Sequence, residues 1–341
     1  MNFTAFQKKV AEKIRERLGE EVKVEPNRVM KNNGVVWNGL TISKEGSNIA
    51  PTIYLDELYK EYRDGRTLGS IVGQLMRIYE KSCIEDSVCM DFFLDFEQAK
   101  GRIVYRLVNY SRNENQLNQL PHIRFLDMAV IFACTILNDR MTDASILISN
   151  EHCKMWNVDT ERLMEAAAEN TPRYNRVCVR DMEEVIRDMF EEQLKEEVEG
   201  FCSKKLWSGS RAEADKWADE MRRGLERELR RVHGEPSMYV MGSCNKQYGA
   251  GTILYPGALM EFAQKKERNF FILPCSVHEV ILVPDCGRER AQRLQQMVKE
   301  VNDTQLDAED VLSDSVYYFD RNTGKVTLLC GGTGADKTAL N

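Results

Sequence analysis

The chain has little that marks a specialised class. Its most apolar run, Phe125 to Leu137, holds Asp127 and is shorter than the roughly 20 residues a helix needs to cross a bilayer. The first residues, Met1 to Lys9, reach charge quickly, with no apolar core or small-residue cleavage site, so a secretory signal is not expected. Positive charge is not in excess: 47 Lys and Arg stand against 54 Asp and Glu, which argues against a surface built to neutralise phosphates. The 10 cysteines are scattered singly with no CxxC pair, which speaks against a disulfide framework and for reduced thiols in a cytoplasmic protein. What remains is an ordinary globular makeup of 341 residues, 43% hydrophobic and 30% charged, enough for one large domain or two medium ones.

Periodicity then divides the chain. Phe3, Phe6, Val10 and Ile14 share one helical face, which predicts an opening amphipathic helix ending near Gly19. Two β-type runs, Val22 to Met30 and Val35 to Ile42, flank Asn32-Asn33-Gly34 and predict a hairpin. Helical spacing returns over 55–62 and 71–79, broken at Asp64-Gly65. The segment 92–110 is open between a helix and a helix leading into a strand. Leu126 to Leu137 suits a strand covered on both faces, with Ser145 to Ser149 as its partner. Asp159 offers a helix N-cap, and Thr171-Pro172 should stop that helix.

From Asp181 to Val232 the composition shifts to long charged helices. Met182, Val185, Ile186, Met189, Phe190 and Leu194 open one apolar stripe, continued by Val198 and Phe201. Trp217, Met221, Leu225, Leu229 and Val232 form another. Ser208-Gly209 separates them, and Ser210 with Glu213 has capping-box spacing. After Pro236 short strands are expected near 238–241, 270–273 and 279–283, helices near 257–265 and 288–301, and a closing hairpin around Asn322-Thr323-Gly324. The expected fold is α+β: two mixed α/β domains, 1–180 and 236–330, joined by a charged helical hairpin, 181–235, with a polar tail, 331–341.

Reactive residues are few. Cys275, Ser276 and His278 lie in the turn between two apolar strands, and a thiol or hydroxyl near an imidazole is the minimum for nucleophilic catalysis. The competing reading is a packed turn in which His278 bonds backbone groups. A zinc set of Cys275, His278 and Cys286 fails on reach, because eight residues of strand would separate the last two by roughly 26 Å. His152-Cys153 is another pair, without a spaced partner. The tail Gly331 to Thr338 invites comparison with a phosphate loop, but Asp336 replaces the second glycine and only three residues follow. Lys204, Lys205, Arg222, Arg223, Arg227 and Arg230, with Arg231 beyond them, could line a nucleic-acid backbone, yet acidic residues are interleaved with them, the pattern of a solvated, salt-bridged face. No cofactor and no metal is expected.

Several stretches also resemble a known family. They include Gly34 to Ile42, Glu45 to Leu55, Leu147 to His152, Tyr248-Gly249-Ala250, Leu254 to Gly257 and Ser276 to Pro284, and the resemblance reaches to about Asp320. It is to an uncharacterised family of gut-dwelling Gram-positive anaerobes, catalogued as a domain of unknown function. The resemblance implies a bacterial, cytoplasmic origin and supplies no activity. In that family's pattern a serine commonly stands at the position of Cys275, which counts against a thiol nucleophile and leaves Ser276 and His278. The leading expectation is therefore a non-catalytic interaction or accessory protein, with a protein partner or self-association through the helical hairpin. A hydrolase-like enzyme using Ser276 or Cys275 with His278 is the alternative, and a nucleic-acid-binding regulator acting through 204–231 is third.

Overall fold

The fold is seen in a computed structural model, which describes residues 1–19, 21–48, 50–82, 89–136, 144–203, 211–232, 238–285 and 291–330. Its contacts gather into two units. The first comprises Met1–Val104, Tyr110–His122 and Phe132–Ala167; the second comprises Tyr105–Asn109, Ile123–Ile131 and the chain from Ala168 onward. These units are discontinuous in sequence.

In the first unit the opening helix α1 (Phe3–Leu18) starts where the Asn2 side chain accepts the Ala5 N–H and ends at Gly19, which has φ 85°. Strands β1 (Val22–Met30) and β2 (Val36–Lys44) pair antiparallel from Val22↔Lys44 to Met30↔Val36. The turn between them needs positive φ at Asn33 and Gly34, the two residue types that reach it at least cost. A short strand β3 (Thr52–Tyr54) pairs with β2, and helices α2 (Asp56–Arg63) and α3 (Leu68–Ser82) follow. Phe6, Val10 and Ile14 of α1 are buried with Leu40 and Ile42 of β2 and with Ile71 of α3. Each such side chain contributes about 1.5–3 kcal/mol on leaving water, so the apolar face of α1 anchors it to the hairpin.

The open segment resolves into a short helix α4 (Phe96–Ala99) and a strand β4 (Ile103–Asn109). After α5 (Glu114–Leu117) come β5 (His122–Phe125) and β6 (Met128–Thr135), in a sheet of order β4-β6-β5. Met128 to Cys134 are all buried, as a strand covered on both faces requires. The expected partner β7 (Ser145–Leu147) does pair with it. Helix α6 (Asn150–Trp156) precedes α7 (Thr160–Tyr174), which corrects one expectation: α7 runs through Pro172 instead of stopping there. The proline falls in its last turn, where Asn175 N–H still bonds Thr171 O at 2.8 Å and the Tyr255 hydroxyl donates to Asn175 O at 2.7 Å. Those bonds hold the final turn despite the donor that proline lacks.

The second unit holds a six-stranded antiparallel sheet. Strand β8 (Val177–Asp181) leads into α8 (Met182–Ser203); α9 (Arg211–Val232), β9 (Tyr239–Ser243), α10 (Ala258–Lys266), β10 (Phe270–Leu273) and β11 (Glu279–Pro284) follow. The chain continues with α11 (Ala291–Thr304), β12 (Val316–Asp320) and β13 (Lys325–Cys330), and the sheet order is β13-β12-β10-β11-β9-β8. Alternation sends Phe271, Leu273, Val283 and Val316 to a core shared with Leu294 and Val298 of α11. Phe270, on the other face, meets Phe262 of α10 at 5.1 Å and stacks on Phe319 at 5.0 Å. Ser210, Lys204, Lys205, Cys286 and the phosphate-loop-like tail lie outside the described residues.

Candidate functional site

The turn carrying Cys275, Ser276 and His278 joins β10 to β11, and a second segment, Asp310 to Ser315, zips onto it. Val277 N–H bonds Asp310 O at 2.8 Å, Leu312 N–H bonds Cys275 O at 2.8 Å, and Ser313 N–H bonds Pro274 O at 2.9 Å. Cys275 is thereby buried, and burial pushes its thiol up to about 12, so little thiolate forms near neutral pH. The Ser276 hydroxyl accepts the His278 backbone N–H at 3.0 Å. The His278 ring is used on both sides: Nδ1 accepts the Tyr248 N–H at 3.3 Å, and Nε2 faces Asp310 Oδ1 at 3.2 Å. A backbone N–H can only donate, so Nδ1 presents its lone pair and the ring hydrogen sits on Nε2, toward the carboxylate.

That arrangement decides what the turn can do. A nucleophilic hydroxyl needs the imidazole lone pair as its base, and here that lone pair is taken by Tyr248 while Ser276 bonds the backbone of His278. Ser276 and His278 are neighbours in a packed turn and do not form a nucleophile–base pair. The surroundings are tight as well. A Cβ on Gly249 would lie 2.3 Å from Ser243 N and 2.4 Å from His278 O, so only glycine fits there. Next to it the Tyr248 ring, 5.7 Å from that of His278, carries the Arg106 guanidinium at 3.8 Å.

A second cluster was invisible in the sequence except as one acid inside an apolar run. Asp127 sits in the two-residue turn between β5 and β6, beside Leu126, whose φ of 56° is unusual for a bulky residue. Its Oδ2 accepts from Ser313 and Ser315 hydroxyls at 2.7 Å each, and Oδ1 accepts from the Tyr317 hydroxyl. Burial, and then the Asp127 charge, raise the Tyr317 pKa well above its ordinary value, so the phenol keeps its proton and donates. The Asn302 amide donates to Ser313 O at 3.0 Å and to Asp314 Oδ1 at 2.7 Å, and Asn109 donates to Leu312 O at 2.8 Å. A carboxylate receiving three hydroxyls has little acceptor capacity left for a ligand, so Asp127 clamps the 313–317 segment.

Other candidates separate. His152 completes a capping box at the start of α6, where Ser149 N–H donates to its Nδ1 at 3.1 Å. Among the described residues no group of three His, Cys, Asp or Glu side chains could hold a metal ion, and no helix is long and apolar enough to cross a membrane. The basic residues of α9 take part in an antiparallel hairpin. Arg187 of α8 pairs with Glu226 at 2.8 Å, and Arg222 grips both carboxylate oxygens of Glu191 at 2.7 and 3.0 Å. Leu194, Ala214 and Ala218 are buried in this hairpin, while Ile186, Met189 and Met221 stay exposed. An open depression of about 810 Å³ is lined by Glu220, Arg223, Glu226, Arg227 and Arg230 of α9.

The described fold is thus a mixed α+β protein with several sheets and a long charged helical hairpin. The chain belongs to the Family of unknown function (DUF5688), whose model matches residues 3–321. No curated protein and no solved structure matches it.

Proposed function

We propose that the protein is a non-catalytic interaction module that self-associates through the α8–α9 hairpin. The observation that carries this reading is how charge and apolar side chains are distributed along the hairpin. The distal half of α8 presents exposed Glu192, Glu196 and Glu199 at spacings of four and three, one stripe of a helix. The basal half of α9 presents exposed Arg223, Arg227 and Arg230 at the same kind of spacing, along the depression. Met189, 65% exposed, and Met221, 41% exposed, lie near the middle of their helices.

A two-fold axis through that middle brings the acidic stripe of one copy, with Met189 beside it, opposite the basic stripe of the other, twice. Helices of 22 residues are about 33 Å long, and a pair is about 20 Å across. One face therefore offers on the order of 700 Å², close to the roughly 800 Å² per partner of a standard interface.

Sedimentation velocity of the full chain tests this. A dimer is expected at low salt that dissociates as salt screens the stripes. Arg223→Glu with Arg227→Glu should give a monomer, and adding Glu192→Arg with Glu196→Arg should restore the dimer. A monomer at every salt and protein concentration would sink the proposal.

A further inference from the structure

Two cysteines meet at the root of the hairpin. Strand β8 ends the order of the six-stranded sheet, with β9 as its ladder neighbour. In that ladder Cys178 stands opposite Gly242, and Cys244 follows two residues later, where β9 gives way to a turn. Side chains alternate along a strand, so Cys178, Gly242 and Cys244 share one face. Gly242 has no side chain to stand between the thiols. The Cys244 N–H bonds Arg176 O at 2.9 Å, and its Sγ lies 4.0 Å from the Val177 carbonyl oxygen, beside Cys178. Burial, and then the neighbouring Cys244 thiol, raise the Cys178 pKa. Both can be reached from solvent, Cys244 being exposed and Cys178 half-buried.

We propose that Cys178 and Cys244 are a thiol–disulfide exchange site, which a low-molecular-weight disulfide closes into a covalent staple between β8 and β9. The exposed Cys244 thiolate attacks one sulfur of the small disulfide RSSR. The Cys244–SR bond forms, the S–S bond of the reagent breaks, and the departing thiolate takes up a proton as RSH. The Cys178 thiolate then attacks the Cys244 sulfur, and the second RS⁻ leaves and is protonated. Overall, two protein thiols are oxidised to one disulfide while one RSSR is reduced to two RSH. Burial raises the Cys178 pKa, with Arg180 opposing, which makes Cys178 the slower, resolving thiol.

Geometry sets the demand on the fold. Diagonal cross-strand residues sit roughly 7–8 Å apart, and a disulfide needs Cα atoms about 4.4–6.8 Å apart, so the two must approach by about 1 Å. Cys244 can give, because it opens a turn in which Lys246 N–H bonds Ser243 O at 2.9 Å. The same turn is already held against the start of β8 by the Asn245 amide, which donates to Asn175 Oδ1 at 2.8 Å. Since β8 continues directly into α8, closure ties the first turn of the hairpin to the sheet.

The test uses the folded full chain, incubated with oxidised glutathione, then alkylated, digested without reductant and mapped by mass spectrometry. A linked peptide pair containing Cys178 and Cys244 is expected in the wild type. Cys178→Ser should instead accumulate the glutathione adduct on Cys244, because nothing resolves it. A wild type that retains the adduct on Cys244, or that links either cysteine elsewhere, overturns the proposal.

Discussion

Replacing Asp127 by alanine removes the acceptor of three hydroxyls at once. A hydrogen bond to a charged group contributes about 1.5–3 kcal/mol net, and a buried donor left without a partner costs about 1–3 kcal/mol. The three losses differ. Ser313 keeps a bond to Ser315 N–H at 2.9 Å, and serine hydroxyls rotate to new partners, whereas the Tyr317 hydroxyl is fixed on a fully buried ring. Asp127→Ala should therefore destabilise by about 3–5 kcal/mol, the range for breaking a buried polar network. For a 341-residue chain that corresponds to a fall in Tm of roughly 4–7 °C. Asp127→Asn keeps an oxygen for Tyr317 and turns an amide toward serine oxygens that can accept, so about 1–2 kcal/mol is expected. Tyr317→Phe alone should cost about 1–1.5 kcal/mol, and little more when added to Asp127→Ala, because its partner is already gone. Urea unfolding followed by circular dichroism measures all four. An Asp127→Ala midpoint within about 1 kcal/mol of wild type, or an additive double variant, would refute the clamp.

Two glycines should respond with opposite sign. Gly249→Ala forces a Cβ into backbone atoms at 2.3 and 2.4 Å and should lower stability by about 3 kcal/mol or more. Gly73→Ala in α3, where a Cβ meets nothing within 4 Å, should raise it by about 0.8–1 kcal/mol; thermal melts of the two variants check both. Burial lowers the His152 pKa below its ordinary 6.5, so the unfolded chain takes up that proton first. The contribution of His152 is thus complete above pH 6.5 and is lost as pH falls below it, when protonated Nδ1 can no longer accept the Ser149 N–H. His152→Gln preserves the capping box without a titrating group, so its stability advantage over wild type should grow on acidification; a difference that stays constant with pH would contradict this.

Much of the fold was legible in short stretches. The face of Phe6, Val10 and Ile14 defined α1, Asn32-Asn33-Gly34 defined a hairpin turn, and the apolar run from Met128 to Cys134 defined a strand covered twice. These depend on local propensity and period, which neighbouring residues carry among themselves. Strands β3, β5 and β8 escaped notice because three to five residues make too short a pattern, and they exist as strands by pairing with partners elsewhere in the chain. The turn of Cys275, Ser276 and His278 was legible as a place but not as a chemistry. Asp310, 32 positions away, and Tyr248, 30 away, take both ring nitrogens of His278. Asp127 meets its hydroxyls across 186 to 190 positions. The sequence by itself determined the long, strongly periodic helices and strands and the turns between them; only the tertiary structure decided the shortest strands and which polar groups meet, because pairing and hydrogen bonds between distant segments exist only once the chain has folded back on itself.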